Sequence, residues 1–144
     1  MVVQYNVLEG GFMGGDPTLL SKIGPYPITI GRGRVSMEEV PVTFPKPDHV
    51  VLRTPNQINA KDFDGWVQER GLYFLDAAGR DPQYEDLVEF TDPFPYNAGV
   101  KRGALVEAKV GKGRWLYVGL GLWRQLPAGT DGAYRLMANL LSLD

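Results

Sequence analysis

The sequence of 144 residues contains no cysteine and a single histidine, His49. The missing cysteines exclude disulfides, thiolate nucleophiles and cysteine-ligated metals. An excess of one charge is also lacking. The sequence has 15 basic and 17 acidic residues, so it offers no broad basic surface for nucleic acid. No apolar run approaches the roughly 18 residues of a membrane-spanning helix, and no secretory signal opens the sequence. We therefore expect no nucleic-acid partner and no membrane span, and a cytoplasmic protein if Met1 is the native start.

Glycine and proline, in contrast, are abundant, with 18 and 11 copies. They divide the sequence into short segments of the length that strands prefer. The hydrophobic fraction of 44% is sufficient for the core of one ordinary globular domain. The composition therefore predicts a single β-rich domain over residues 1–144.

The last third of the sequence carries the clearest local patterns. Two β-prone runs, Ala104–Val110 and Arg114–Leu120, flank a short glycine turn, which predicts a β-hairpin over about 104–120. Apolar residues recur at helical spacing over 131–143, with Thr130 or Asp131 as the candidate cap. We expect an α/β fold in which β-structure predominates, with a mixed sheet and this C-terminal helix packed on it.

The remaining segments are short, and none is predicted between 76 and 103. We expect a long loop over 9–25, turns at 31–34 and 54–56, and one helical turn at Asn59–Phe63 capped by Asn59. The predicted strands are Val2–Asn6, Pro27–Ile30, Val40–Phe44, Val50–Leu52 and Trp66–Leu75.

Few catalytic templates fit the sequence. A serine triad would need His49 as its base, but no serine stands in a Gly-x-Ser-x-Gly elbow. One histidine gives no two-histidine metal spacing, and the glycines of GLGLWRQ (119–125) lack the context of a dinucleotide site. We therefore expect neither a metal nor a cofactor. His49 is either a residue at the entry to a strand or, with Asp62 and Glu69, part of a carboxylate-based hydrolase.

The stretch DFDGWVQERGLYF, residues 62–74, is the densest in aromatic and charged side chains. Its aromatic rings could stack on a sugar ring or fill the core of the domain. Glu69 and Arg70 would lie on opposite faces of a strand, so one of them points inward and needs a partner such as Arg124 or Asp62. The candidate binding residues are Asp62, Trp66, Gln68, Glu69, Arg70 and Arg124.

Several ordered segments together resemble one family. They are VVQYN (2–6), GPYP (24–27), PVTF (41–44), PDH (47–49), TPNQI (54–58), DFDGWVQERGLYF (62–74) and GKGRWLYVGLGLWRQLPAGTDGAYRLMANLLSL (111–143). With these segments the chain resembles the C-terminal class I glutamine-amidotransferase-like (ThuA-like) domain of bacterial LmbE/PIG-L-type deacetylase proteins. The resemblance implies part of a flavodoxin-like fold, of which this chain covers only the second half.

The chain departs from this family where the family's chemistry resides. The deacetylase's His-Pro-Asp-Asp zinc motif has no counterpart, because His49 follows Asp48. No cysteine nucleophile follows the strand at Val2–Asn6, so glutamine hydrolysis does not carry over either. A half-domain would leave that strand as an open edge, which predicts a homodimer or assembly with a separately encoded remainder. The resemblance thus implies a non-catalytic accessory, interaction or glycan-binding module with a carbohydrate as possible ligand.

Overall fold

The computed structural model describes residues 1–4 and 24–143 and has a mixed α/β, strand-rich fold. The strands are β1 (Val2–Gln4), β2 (Ile30–Arg34), β3 (Val42–Thr43), β4 (Leu72–Leu75), β5 (Tyr84–Asp92), β6 (Gly99–Val110) and β7 (Gly113–Val118). The α-helices are α1 (Val50–Arg53), α2 (Leu122–Gln125) and α3 (Asp131–Leu141), and a 3₁₀ helix spans Ala60–Phe63. Within the described ranges, no helix has the length and apolar character needed to cross a membrane.

The main sheet has five strands in the order β1-β7-β6-β5-β3. The pair β1 and β7 is parallel, and the other neighbouring pairs are antiparallel. Strands β6 and β7 form the predicted hairpin, which closes through the pair Val110 and Gly113. A second, two-stranded sheet pairs β2 with β4. The prediction of a mixed sheet with a C-terminal hairpin is therefore confirmed.

The main sheet is covered on both faces. Side chains alternate between the two faces of a strand, and along β7 they divide between two apolar clusters. Leu116 and Val118 join a larger cluster with residues of α1 and α3, whereas Trp115 and Tyr117 join a smaller cluster with Ile30 of β2. The helices and the small sheet therefore pack on opposite faces of the hairpin.

Helix α3 confirms the C-terminal helix predicted over 131–143. Its inward side carries buried residues, among them Leu136 and Leu140, at the spacing of one helix face. Thr130 occupies the N-cap position, but its hydroxyl donates a hydrogen bond to Oε1 of buried Gln125 (3.3 Å). Asn59 does cap the 3₁₀ helix as predicted: its side chain accepts from the backbone nitrogen of Lys61 at 2.9 Å.

Several short segments differ from their predictions. Val50–Leu52 is wrong as a strand, because the segment begins helix α1, whose first turn is capped by His49 Nδ1 accepting from the nitrogen of Val51. The turn predicted at 31–34 is wrong as well, because these residues belong to β2. Of the strand predicted at Pro27–Ile30, only Ile30 lies in a strand. The strand predicted at 40–44 is reduced to two residues in β3.

Other boundaries also shift. Of the strand predicted at Trp66–Leu75, only β4 is regular, and residues 66–70 form an irregular segment. Strand β5 lies in a region where no element was predicted. Of the strand predicted at 2–6, residues 2–4 are confirmed. The rest of that strand, and all but the end of the loop predicted at 9–25, lie outside the described residues.

Candidate functional site

The six predicted site residues do not converge on one site, and Trp66 lies in the core. Its side chain is buried, and its ring stacks on that of Phe63 with centroids 4.9 Å apart. The indole Nε1 donates to the backbone oxygen of Asp62 at 2.8 Å, which satisfies the polar atom that a buried tryptophan brings with it. Trp66 is therefore a packing residue, and its ring offers no face to a sugar.

Asp62 connects the 3₁₀ helix to α3. One carboxylate oxygen accepts from Nε of Arg135 at 2.7 Å, and the other accepts from the backbone nitrogen of Asn59 at 2.8 Å. The second bond completes a reciprocal capping box at the helix start. Both oxygens thus have partners, and this carboxylate joins the 3₁₀ helix to Arg135 of α3.

The side chain of Gln125 hydrogen-bonds the backbone of the irregular segment 66–70. This fully buried side chain accepts from the nitrogen of Val67 and donates to its oxygen, both at 2.8 Å. The two bonds pair the peptide groups of Val67 as the backbone of an adjacent strand does in a sheet. Gln68 follows with a left-handed φ of 51°, and its nitrogen donates to Oε1 of Glu38 at 2.8 Å. Such a backbone conformation is costly for a residue other than glycine and persists only where its surroundings impose it.

Glu69 lies between two arginines at the surface. Its carboxylate is 3.4 Å from Nη1 of Arg124 and 3.8 Å from Nη1 of Arg34. All three side chains are partly exposed, so water screens both pairs, and each contributes little to stability. Glu69 does pair with Arg124, but it does so at the surface, whereas the partner was predicted for the inward-pointing residue.

Arg70 is the inward-pointing member of the pair and is only 4% exposed. Its Nη1 donates to the backbone oxygen of Val40 at 2.6 Å, and its guanidinium carbon lies 5.9 Å and 6.0 Å from the ring centroids of Phe63 and Phe90. Nε has no hydrogen-bond partner in the described part of the chain. The predicted partner Asp62 is bonded to Arg135 instead.

The environment of Arg70 is electrostatically unusual. Burial lowers the pKa of its guanidinium, and the charges of Asp64 and Glu39 oppose that shift. An arginine nevertheless remains a cation near neutral pH. The protein therefore holds a desolvated positive charge whose nearest carboxylates act on it only through space.

Arg70 lines a cleft of about 400 Å³, the size that small ligands occupy. The rest of this cleft, here named the Arg70 cleft, consists of Glu39–Val42, Ala60 and Asp64–Gly65. A second cleft of about 490 Å³ shares Asp64–Gly65 and contains Asp62 and Arg135. Glu39 and Asp64 stand in the acid pairs Glu38/Glu39 and Asp62/Asp64 of the sequence, but neither was among the predicted binding residues.

His49 pairs with a carboxylate that the sequence reasoning did not consider. Its Nε2 lies 2.7 Å from Oε2 of Glu107, whose Oε1 accepts from Nη1 of Arg114 at 2.6 Å. Since Nδ1 accepts from the nitrogen of Val51, the neutral ring carries its proton on Nε2 and donates it to Glu107.

The state of Glu107 follows from these contacts. Burial alone would raise the pKa of Glu107, but the hydrogen bonds and charges of His49 and Arg114 outweigh it and lower the pKa. Glu107 is thus an ionised acceptor near neutral pH and is unsuited to act as a general acid. Both nitrogens of His49 are occupied, so it is a structural residue in this arrangement.

No group of three or more side chains that could hold a metal ion occurs among residues 1–4 and 24–143. A scan against protein-family models found no match for this chain, and neither did searches of curated proteins and of solved structures.

Proposed function

We propose that this chain is a non-catalytic binding module and that the Arg70 cleft accepts a saccharide. The observation that carries this proposal is a ligand-sized cleft with a guanidinium donor on its wall and two carboxylate acceptors, Glu39 and Asp64, beside it. Carboxylates and guanidinium groups are suitable partners for the paired hydroxyls of a sugar ring. Val40 and Val42 supply apolar wall to the same cleft.

We propose further that the chain is a relative of the amidotransferase-like domain that follows the deacetylase in LmbE/PIG-L-type proteins. The support is the order of the segments that carry the resemblance, from the one at residues 2–6 to the long one at 111–143. In this view the chain serves as an accessory or interaction module of carbohydrate-processing proteins.

The contacts of the candidate catalytic groups favour binding over hydrolysis. His49 is bonded to Glu107, Asp62 to Arg135 and Glu69 to Arg124. A carboxylate-based hydrolase needs a pair of acids on either side of the bond that it breaks. These three groups are bound to three separate sets of partners, so we do not propose the hydrolase.

Filling the Arg70 cleft should weaken saccharide binding. Ala60 is exposed on the cleft wall, so Ala60→Trp would occupy the space with little disturbance of the core. We expect wild-type protein to bind at least one saccharide on a glycan array and Ala60→Trp to lose about tenfold or more in affinity. Isothermal titration calorimetry with that saccharide measures the loss.

The matched control is Ala78→Trp, which places the same side chain at an exposed turn position outside the cleft. It should bind as the wild type does. Equal affinity in wild type and Ala60→Trp would locate the ligand elsewhere, and an array without any bound saccharide would refute the glycan-binding function.

We also propose that β1 pairs with a strand from a second copy, or with a separately encoded remainder of the domain. Within the described part of the chain, β1 ends the main sheet with β7 as its neighbour, and Val2 is 40% exposed.

If a second copy pairs with β1, light scattering should give about twice the chain mass of 16.0 kDa, because open edges recruit strands. Val2→Lys should shift the protein toward monomer and Val100→Lys, on exposed β6 surface, should not; a wild-type monomer would contradict self-association.

A further inference from the structure

The unpaired charge of Arg70 indicates what kind of group the Arg70 cleft lacks. Buried charges are ordinarily paired, since taking an ion out of water without a partner is costly. Arg70 is 4% exposed, its Nη1 bonds a neutral carbonyl, and Nε is without a partner among the residues described. The aromatic rings of Phe63 and Phe90 lie beside the guanidinium but carry no counter-charge, and Arg70 lines the Arg70 cleft.

We infer, building on the proposed saccharide function, that the ligand is an acidic saccharide whose carboxylate pairs with Arg70. A carboxylate matches the planar fork of a guanidinium and can accept two parallel hydrogen bonds from it. A neutral sugar would leave the buried cation without a counter-charge bonded to it. The carboxylate would thus complete a pairing that the described residues leave open.

The acidic residues of the cleft restrict the charge of this ligand. Glu39 and Asp64 are both exposed, and both raise the pKa of Arg70 through space. They would repel a second negative charge brought beside the guanidinium. A sugar with one carboxylate is therefore favoured over a phosphorylated sugar, and the two acids would accept hydrogen bonds from its hydroxyl groups.

The test compares D-glucuronate with D-glucose, which differ only in the carboxylate at C6. We expect calorimetry on the full chain to give glucuronate about tenfold or more the affinity of glucose. Arg70→Met keeps an unbranched apolar chain against the two phenylalanine rings but removes the charge. It should abolish the preference, and circular dichroism checks that the variant is folded.

Asp64→Asn provides a second variant that needs no change in the core. Asparagine keeps an oxygen that can accept from a sugar hydroxyl, so the variant removes only the negative charge. It should tighten glucuronate binding several-fold, because it removes repulsion at the carboxylate. The matched control is Asp48→Asn, which removes an exposed carboxylate outside the cleft and should leave the affinity unchanged.

Four outcomes would overturn the inference. Equal affinity for glucose and glucuronate would refute the acidic ligand while leaving the saccharide function in place. Sodium acetate binding as tightly as glucuronate would indicate a site for any carboxylate, without recognition of the sugar. Weaker glucuronate binding by Asp64→Asn would mean that the negative charge of Asp64 favours the ligand, which contradicts an anionic group placed beside it. If no saccharide binds, the proposed function fails and this inference fails with it.

Discussion

Replacement of Asn139 by alanine should lower the free energy of unfolding by about 3 kcal/mol. Asn139 is fully buried on α3 and bonds the backbone of two other segments. Its Oδ1 accepts from the nitrogen of Asn56 at 2.8 Å, and its Nδ2 donates to the oxygens of Val51 and Asn56, both at 2.7 Å. Alanine would leave three backbone groups without this partner and would open a cavity, and each loss is costly in a closely packed interior.

Urea denaturation at equilibrium measures this effect, provided that the slope of the transition is unchanged. Ser142→Ala is the control on the end of the same helix: it removes an exposed hydroxyl that donates to the oxygen of Ala138, and it should change stability by no more than about 0.5 kcal/mol. A loss below about 1 kcal/mol for Asn139→Ala would mean that water replaces the amide, because water restores such bonds at little cost.

The elements that could be predicted from the sequence are those whose signals are local. The hairpin of β6 and β7 needs only two β-prone runs and a glycine turn, and α3 needs only its apolar spacing. Both are confirmed. A three-residue apolar run such as Val50–Leu52 has no periodicity to separate helix from strand, so the capping bond from Val51 to His49 decides the outcome.

Strand β5 was missed because it does not alternate cleanly. Its pairing with β6 shifts register between Asp86 and Val88 and again between Val88 and Phe90. These irregularities allow the successive residues Leu87 and Val88 both to be buried. A search for strict alternation therefore fails on this segment, although its composition suits a strand.

The candidate site shows the same division between local and tertiary information. One of Glu69 and Arg70 points inward, as the sequence predicted, although the strand from which this followed is irregular over 66–70. The sequence could not predict which partner each would find, because Asp62 is matched to Arg135 across 73 positions of sequence. The cleft was equally out of reach, since Glu39 and Arg70 meet only when distant segments pack together.

Gly103→Ala should have the largest effect of the substitutions considered, a loss of about 4 kcal/mol or more in unfolding free energy. Gly103 lies in β6 with a φ of 84°. A Cβ there would come within 2.8 Å of the backbone nitrogen of Leu75 and 2.9 Å of its carbonyl carbon, and closer still to its oxygen. Strand β4 would have to move away to make room for the Cβ. Gly103 itself is held in place, because its nitrogen donates to Oδ1 of Asp86 at 2.7 Å.

The comparison with Gly79→Ala separates the two causes of this loss. Gly79 has a similar φ of 72°, but a Cβ at that position meets nothing within 4 Å. Its replacement should therefore cost only the left-handed conformation, about 1 kcal/mol. Urea denaturation of both variants should show the larger loss at Gly103, and the excess measures the close approach of β4 to β6. If the two variants lose equal stability, backbone conformation alone explains the requirement for glycine at 103, and the packing of β4 on β6 yields without cost.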